Sequence, residues 1–214
     1  PLGNWDLCSN LTDVSFMFLD ATEMNKYYPS TPEISNNRFV FYPDGSNVLR
    51  QAINQISSNY IDNSYGPITI WNVSRVNNMD EVFLNNSDFN EDISNWNVYN
   101  VTTMQYMFLN DTSFNRDISG WDVRNVTNMS SMFASSSYNH DLSWNVYKVN
   151  NMSGMFQSAS QFNQDITNWD VRNVTTMEKM FFLATSFDYP LGNWDLCSNL
   201  TDVSFMFLDA TEMN

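Results

Sequence analysis

The sequence has few of the residues that most enzymes use in catalysis, with one histidine, two cysteines and nine basic side chains in 214 residues. Nucleophilic catalysis needs a base beside the nucleophile. His140 follows a recurring aromatic, at the position that Glu91, Arg116 and Gln164 occupy elsewhere in the chain. A position that accepts four unrelated polar side chains is typical of a solvated face. We therefore predict that the protein is not an enzyme, and we expect neither a cofactor nor a metal site.

The chain also lacks positive charge and long apolar runs. Its 24 acidic side chains give a formal net charge of −15, which would repel nucleic acid and anionic membranes. No apolar run approaches the roughly 20 residues that span a bilayer, so we expect no membrane insertion. Residues 1–5 do not resemble a signal peptide. We therefore expect that the sequence begins inside something longer.

The two cysteines, Cys8 and Cys197, lie in two copies of one segment, because residues 1–25 and 190–214 are identical. The larger repeating unit is then 189 residues long. We interpret residues 1–25 as the last coil of a preceding tandem unit and expect the native chain to continue Lys-Tyr-Tyr-Pro after Asn214. The alternative is that the identity is artificial. With one cysteine per unit, we expect a free thiol, and a crosslink to another unit is the alternative.

Tryptophan recurs at a nearly constant interval, which indicates a shorter internal repeat. From Trp71 onward the interval is 25 residues, except for one interval of 23. Valine, methionine and phenylalanine recur in step, and a second aromatic follows each phenylalanine of this column except the last, Phe207. The tryptophans, which we predict to form a structural ladder, are Trp71, Trp96, Trp121, Trp144, Trp169 and Trp194.

Alternation of Trp and Val with polar residues predicts a short strand with one buried face. The Met-x-x-Met-Phe step, as in residues 104–108, has the spacing of a single helical turn. A lone coil cannot bury its apolar face, whereas stacked coils make a continuous core. We therefore predict a repeat solenoid of six coils over residues 68–214, with short parallel β-strands plus a one-turn helix per coil. Its length would be roughly 29 Å at a strand spacing of about 4.8 Å.

The run from Phe114-Asn115-Arg116-Asp117-Ile118 to Met132-Phe133 resembles the BspA-type, leucine-rich-repeat-like surface-protein repeat that is also found in mycoplasma lipoproteins. The segment over residues 47–57, followed by Tyr65-Gly66-Pro67-Ile68, resembles the helical cap that opens such arrays. The resemblance implies a leucine-rich-repeat-like solenoid at the cell surface or outside the cell. It implies no catalytic activity.

The segment before the coils also has a physical interpretation. Leu49, Ala52 and Ile53 fall on one helical face, with Ser46 as a suitable N-cap. We predict a strand and an α-helical N-terminal cap over residues 38–67. Two prolines among polar residues predict an extended linker over residues 26–37.

Sequons for N-glycosylation, Asn-x-Ser/Thr, are frequent in this sequence. Composition alone predicts roughly six of them, so the enrichment is modest. The candidate sites are Asn10, Asn72, Asn85, Asn100, Asn110, Asn125, Asn128, Asn151, Asn173 and Asn199.

One column of sequons, Asn100, Asn125 and Asn173, admits two interpretations. Stacked inward-facing amides could not carry sugar. The same column also holds Arg75 and Lys148, and long cations are rarely buried without partners. We therefore expect an outward column that is open to glycans.

Two further polar columns follow the second aromatic. We predict that the asparagines are structural amides that bond to turn backbone. Stacked aspartates could gather calcium, but without a compact oxygen-ligand loop we expect them to cap the following turn. The columns are Asn90, Asn115, Asn139 and Asn163, and Asp92, Asp117, Asp141 and Asp165.

Together these patterns favour an extracellular or cell-surface structural protein. We expect a glycosylated filament or stalk built from tandem 189-residue units, whose partners are copies of itself and N-linked glycans. The alternative is a cell-surface adhesin or ligand-binding ectodomain, in which Tyr99 and Tyr147 would supply an exposed aromatic surface.

Overall fold

The computed structural model describes residues 33–35, 38–43, 45–57, 65–196 and 199–210. Strands β1 (Glu33–Ser35) and β2 (Arg38–Val40) form an antiparallel pair. Helix α1 (Ser46–Ser57) follows, and a 3-10 turn (Ile68–Ile70) leads into the first repeat. Strand β1 lies inside the segment that we interpreted as an extended linker, so part of that segment is paired with β2.

Helix α1 packs against the first repeat. Leu49, Ala52 and Ile53 are buried because their spacing places them on one helical face. Arg50 reaches from the same helix to the first repeat, where its Nη2 donates to the carbonyl oxygen of Asp80 at 2.6 Å. The helix therefore covers apolar surface at the start of the stack of repeats.

The predicted fold class is wrong. Among the described residues, no strand and no α-helix follows Ser57, and the two-stranded sheet is the antiparallel pair of β1 and β2. The expected short parallel β-strands and one-turn helices of a leucine-rich-repeat-like solenoid are therefore not formed in the described repeats. These repeats consist of turns and extended segments without regular secondary structure.

The Met-x-x-Met-Phe segment forms consecutive β-turns in place of a helical turn. In the second repeat, the N–H of Met107 donates to the carbonyl of Met104, and the N–H of Asp111 donates to that of Phe108. Tyr106 and Asn110 have φ values of 57° and 58°. A right-handed helix excludes such left-handed residues, whereas a type II turn requires one at its third position.

The turns leave alternate N–H groups free to bond to the next repeat. The N–H groups of Met104, Tyr106, Phe108 and Asn110 donate to carbonyl oxygens of the third repeat at 2.9–3.0 Å. Just before the equivalent segment of the third repeat, the N–H of Thr127 donates in the other direction, to the carbonyl of Thr102 in the second repeat, at 2.8 Å. Each parallel bridge between repeats involves one isolated pair of residues, which is why no strand forms in the described repeats. They run along the column Asn78, Thr103, Asn128, Asn151, Thr176 and Asp202.

The core consists of columns of identical or similar side chains stacked along the repeats. Tryptophan ring centroids are 6.4–6.5 Å apart, with nearly parallel planes, in four of the five successive pairs: Trp71–Trp96, Trp96–Trp121, Trp121–Trp144 and Trp169–Trp194. The phenylalanine column has centroid distances of 5.0–5.9 Å. Flat rings with their faces offset gain contact area along the whole stack. The buried phenylalanines of this column are Phe83, Phe108, Phe133, Phe156 and Phe181.

Changes in repeat length are absorbed at the corners. The repeat that ends at Trp144 is shorter than its neighbours, and there the Trp144 N–H donates to the carbonyl of Leu142, two residues back. In the preceding repeat the Trp121 N–H reaches three residues back, to Ile118. The indole of Trp144 nevertheless keeps its bond to the preceding repeat. The shorter corner therefore leaves Trp144 stacked on Trp121, with ring centroids 6.5 Å apart.

Gly154 provides a test of the turn geometry. It has φ +61° in the column that also holds Tyr106 and Ser131, and a Cβ at Gly154 would lie 3.0 Å from the Ser131 Oγ. We expect Gly154→Ala to lower the free energy of unfolding by about 1–2 kcal/mol, because alanine is strained at positive φ. Urea denaturation measures this change.

The matched control is Gly120→Ala, since nothing lies within 4 Å of the place that the added methyl group would occupy, and the φ of Gly120 is not positive. This substitution should be neutral or slightly stabilising. Equal destabilisation by both variants would contradict the turn geometry described for Gly154.

Candidate functional site

The tryptophan column is held by hydrogen bonds as well as by stacking. The indole N–H of Trp121 donates to the carbonyl of Ile93 in the preceding repeat at 3.1 Å, and that of Trp169 donates to Leu142 at 2.7 Å. Trp71, in the first repeat, donates to the carbonyl of Tyr65. A buried indole therefore satisfies its polar group while it binds two repeats together. The predicted column lies in the core throughout.

The second asparagine column forms a ladder of side-chain to backbone bonds. The Oδ1 of Asn90 accepts the backbone N–H of Asn115 at 3.2 Å, and the Oδ1 of Asn115 accepts that of Asn139 at 3.0 Å. Asn139 and Asn163 continue the ladder, which ends on the N–H of Asp188. The amides bond to backbone of the next repeat rather than to their own turn.

His140 belongs to the column of residues that directly follow the asparagines of this ladder, and its hydrogen bond shows what that column does. Its Nε2 lies 2.8 Å from the carbonyl oxygen of Asn115. Because a carbonyl oxygen only accepts, Nε2 must carry the hydrogen. Arg116 and Gln164 make the equivalent bonds, to the carbonyls of Asn90 and Asn139. Three different side chains share the ability to donate across one repeat, which accounts for the variety that we interpreted as a solvated face.

The aspartate column closes turns. The Oδ1 of Asp92 accepts the N–H of Ser94 at 2.9 Å, and the Oδ1 of Asp117 accepts that of Ser119 at 2.8 Å. Hydrogen bonds from the side chain and backbone of the serine lower the pKa of both carboxyl groups. Asp165 accepts bonds from Thr167 in the same way, and Asp141 accepts the hydroxyl of Ser143. These contacts occupy the carboxylates as turn caps.

The first sequon column lies at the surface and is also hydrogen-bonded. The Nδ2 of Asn100 donates to the carbonyl of Ser74 at 2.8 Å, and the Nδ2 of Asn125 donates to that of Tyr99 at 2.8 Å. Asn173 and Asn199 make the corresponding bonds to the preceding repeats. Asn100 is exposed and Asn125 is half-buried, so the amides form a ladder without facing inward.

The other sequons occupy different surroundings. Asn85 and Asn110 are exposed and bond to each other, with Nδ2 of Asn110 donating to Oδ1 of Asn85 at 2.8 Å. Asn72, Asn128 and Asn151 are half-buried, and each Oδ1 accepts the N–H two residues later. Asn10, Cys8 and Cys197 lie outside the described residues.

Sequence analysis missed Asp111, which is fully buried. Its Oδ1 accepts the N–H groups of Ser113 and Phe114, and its Oδ2 has no hydrogen-bond partner among the described residues. Burial raises the pKa of this carboxyl to about 7, against the lowering effect of the two backbone bonds. The corresponding residues Ser136 and Ala159 are small, and this is the signal that could have identified an inward column.

The last repeat presents an apolar surface, which we call the terminal face. Two of its residues are exposed although their counterparts in the preceding repeat are buried: Phe207 is 39% and Val203 47% exposed, while Phe181 and Met177 are both 0% exposed. An open hollow in this surface is lined by Leu196, Val203, Phe205, Met206, Phe207 and Leu208.

Metal-ligand clusters and membrane-spanning helices are both missing from the described part of the chain. No group of three or more His, Cys, Asp or Glu side chains in that part is arranged to hold a metal ion. No helix in it has the length and apolar character needed to cross a membrane.

Comparison with known families gives one match. A family model described as "Mycoplasma protein of unknown function, DUF285" matches residues 49–146 and 135–214. The chain belongs to this family. The mycoplasma-type repeat inferred from the sequence is thereby confirmed at the level of the family. No curated protein and no solved structure matches this DUF285 chain.

Asp111 predicts a pH-dependent loss of stability. Because its pKa is raised on folding, the folded state holds the proton more tightly than the unfolded state does. The loss is absent below the ordinary pKa near 3.8 and grows as the pH rises through about 7, up to about 4 kcal/mol. Asp111→Asn should therefore be more stable than the parent chain at pH 8, and the difference should shrink at pH 4.5.

Urea denaturation of both chains at the two pH values measures this effect. Asp141→Asn, at an exposed carboxylate, controls for the change in net charge. A stability difference for Asp111→Asn that does not change with pH would show that the buried carboxyl does not titrate in this range.

Proposed function

We propose that this chain is an extracellular or cell-surface structural protein, in which tandem 189-residue units form a glycosylated filament or stalk. The observation that carries the proposal is the continuous bonding from repeat to repeat. In each interface, alternate N–H groups of one repeat donate to carbonyls of the next, as Met129 donates to Asn151 and Phe133 to Met155. Such a stack grows in one dimension by adding the same contacts.

The identity of residues 1–25 and 190–214 supports the tandem arrangement. Divergent repeats do not retain 25 consecutive identities by chance. We also propose that the repeats are related to the BspA-type surface-protein repeats, on the motif of residues 114–133. This proposal concerns the sequence and not the fold, since the described repeats do not form the regular architecture expected from that resemblance.

The exposed amide ladder supports glycosylation. An N-linked sugar replaces one hydrogen of Nδ2 and leaves the other, so a glycan at Asn100 is compatible with its bond to Ser74. The exposed Asn85, Asn110 and Asn199 are equally accessible. Glycans along such columns would cover the sides of the filament and leave its ends free.

A second candidate, a ligand-binding or adhesive ectodomain, is favoured by one surface. Tyr99 and Tyr147 are 46% and 49% exposed. The guanidinium carbons of Arg124 and Arg172 lie 5.9 Å and 6.0 Å from the centres of these rings. A row of aromatic and cationic groups offers stacking and charge to a ligand.

Glycopeptide mass spectrometry of the native protein tests the first proposal against the second. We expect glycans at Asn100, Asn125 and Asn173, with peptides that continue Lys-Tyr-Tyr-Pro after Asn214. Bare asparagines at all three positions would favour the binding ectodomain, because the tyrosine and arginine surface would then be uncovered. Any other continuation after Asn214 would rule out the tandem array.

Electron microscopy of the native protein provides a separate measurement. A unit made of six stacked repeats, the preceding helix segment and the residues that join units should give an axial repeat of roughly 50–80 Å. A filament with an axial repeat far outside this range, or no filament at all, would contradict the proposal.

A further inference from the structure

One exposed turn differs between alternate repeats. The second and fourth repeats have Asn-Val-Tyr there, and the third and fifth repeats have Asp-Val-Arg, with the valine buried in each case. Tyrosine and arginine therefore alternate over four successive repeats. We call these four residues the alternating row: Tyr99, Arg124, Tyr147 and Arg172.

The alternating row is presented on tight turns at the surface of the stack. In the second repeat, the N–H of Val101 donates to the carbonyl of Val98 at 2.9 Å, which closes the turn that carries Tyr99. Tyr99 and Tyr147 are 46% and 49% exposed, and both arginines of the row are exposed as well. Tyrosine and arginine are the residues that contribute most to binding at protein interfaces. The row therefore has the composition of an interaction surface.

Each arginine of the row is held by the aspartate of its own turn. The Nε of Arg124 donates to Oδ1 of Asp122 at 2.7 Å. Arg172 donates from Nε and Nη2 to the two oxygens of Asp170, at 2.9 Å and 2.7 Å. These contacts balance the positive charge while the arginine side chains stay exposed. The row therefore suits a partner that offers rings and hydrogen bonds rather than a simple ion.

The order of the row is self-complementary, because its reversal places an arginine opposite every tyrosine. We infer that two copies of this chain pair through the alternating row about a two-fold axis, with their stacks antiparallel. Tyr99 of one copy then faces Arg172 of the other, and Arg124 faces Tyr147. Both stacks have the same repeat spacing, about 4.8 Å, so all four positions stay in register.

The inference rests on the second proposed function, the adhesive ectodomain, and names its partner as a second copy. The contacts that it requires are of a kind that the row already makes within one chain. The guanidinium carbon of Arg124 lies 5.9 Å from the centre of the Tyr99 ring in the preceding repeat. Pairing of two rows adds contacts between the same two groups across the copies.

The charges next to the row also match in the antiparallel arrangement. The first residue of each turn alternates between asparagine and aspartate, in step with tyrosine and arginine. Asn97 of one copy therefore meets Asp170 of the other, and Asp122 meets Asn145. No two carboxylates of these turns face each other, so the pairing avoids the cost of like charges at an interface.

Parallel pairing is less favourable than antiparallel pairing. In register, it brings tyrosine against tyrosine, arginine against arginine and aspartate against aspartate, which places like charges together. A shift by one repeat restores the contacts of tyrosine with arginine, but one residue of each row then lies beyond the end of the other row. The antiparallel pair satisfies all four positions at once.

The inferred interface is small. Four turns from each copy place it at the low end of the size range of specific complexes, so a single pair of units should bind weakly. In a tandem array every unit carries its own row, and many weak contacts between two arrays act together. Weak pairing per unit is therefore compatible with firm adhesion between long chains.

Sedimentation velocity under reducing conditions tests the pairing in the 214-residue chain made without N-glycosylation. We expect dimers whose fraction rises with concentration. A chain with Arg124→Glu and Arg172→Glu, and a chain with Tyr99→Lys and Tyr147→Lys, should each associate at least about 10-fold more weakly, because each removes one half of every contact. An equimolar mixture of the two chains should recover dimers, since each glutamate then faces a lysine.

Recovery in the mixture would also show that both variants are folded. Leu183→Lys is the matched control, because Leu183 is 38% exposed and lies outside the row, and it should leave association unchanged. A parent chain that is monomeric at every concentration, an equal loss in the control, or a mixture that stays monomeric would overturn the inference.

Crosslinking measures the orientation of the pair. Cys8 and Cys197 are first replaced by serine, and a Tyr99→Cys chain is then mixed with an Arg172→Cys chain. A short thiol-to-thiol reagent should mainly join residue 99 of one copy to residue 172 of the other, because these positions face each other in the antiparallel pair. Links mainly between two copies of the same variant would indicate a parallel pair and contradict the inferred symmetry.

Failure of this pairing is distinguishable from failure of the proposed functions. Glycans at Asn100, Asn125 and Asn173 of the native protein would overturn the pairing, because sugars beside the row would hold two copies apart, and they would retain the glycosylated filament. A native protein with bare asparagines that stays monomeric would overturn the pairing and retain the second function with a ligand of another class.

Discussion

Backbone hydrogen bonds that run from one repeat to the next determine the rest of this structure. They require alternate N–H groups to point along the stack, and consecutive β-turns with residues at positive φ provide that orientation. Among the described residues, eleven other than glycine adopt these φ values, including Tyr106 and Lys179. A conformation that is unfavourable for a single residue is maintained because the neighbouring repeat supplies a carbonyl at the right position. Each repeat is therefore stable only beside another.

The periodicity was readable from the sequence because burial follows residue type. Tryptophan, valine, methionine and phenylalanine recur in step, and their columns occupy the core. The secondary structure was not readable in the same way. Alternation of Trp and Val fits a strand and Met-x-x-Met-Phe fits a helical turn, but both spacings are equally compatible with β-turns. The direction of the hydrogen bonds decides between them, and it depends on positive φ values such as that of Tyr106, which the residue type does not favour.

The roles of the polar columns could likewise be predicted only in part. The sequence indicated that Asn90 and its equivalents are structural amides, because they recur beside a buried aromatic. Their partners in the next repeat were not predictable, since a local turn and a neighbouring repeat offer the same N–H group. The role of His140 follows from the contacts of Arg116 and Gln164, which donate to the equivalent carbonyls in their own repeats, and sequence alone does not show these contacts. Asp111 is a buried carboxyl in a column that holds serine or alanine in the repeats that follow it, as at Ser136 and Ala159.

A stack of turns without regular strands, as the described repeats form it, should respond to tension in an unusual way. Successive repeats are joined covalently by one chain and non-covalently by a narrow row of bonds together with ring contacts. Pulling on the ends would detach one repeat at a time, and each detachment would release 25 residues, or about 85 Å of extended chain. A fibre made this way would lengthen in discrete steps and dissipate work at each one. Restacking would follow when the load falls, because every freed repeat still meets a surface of its own kind.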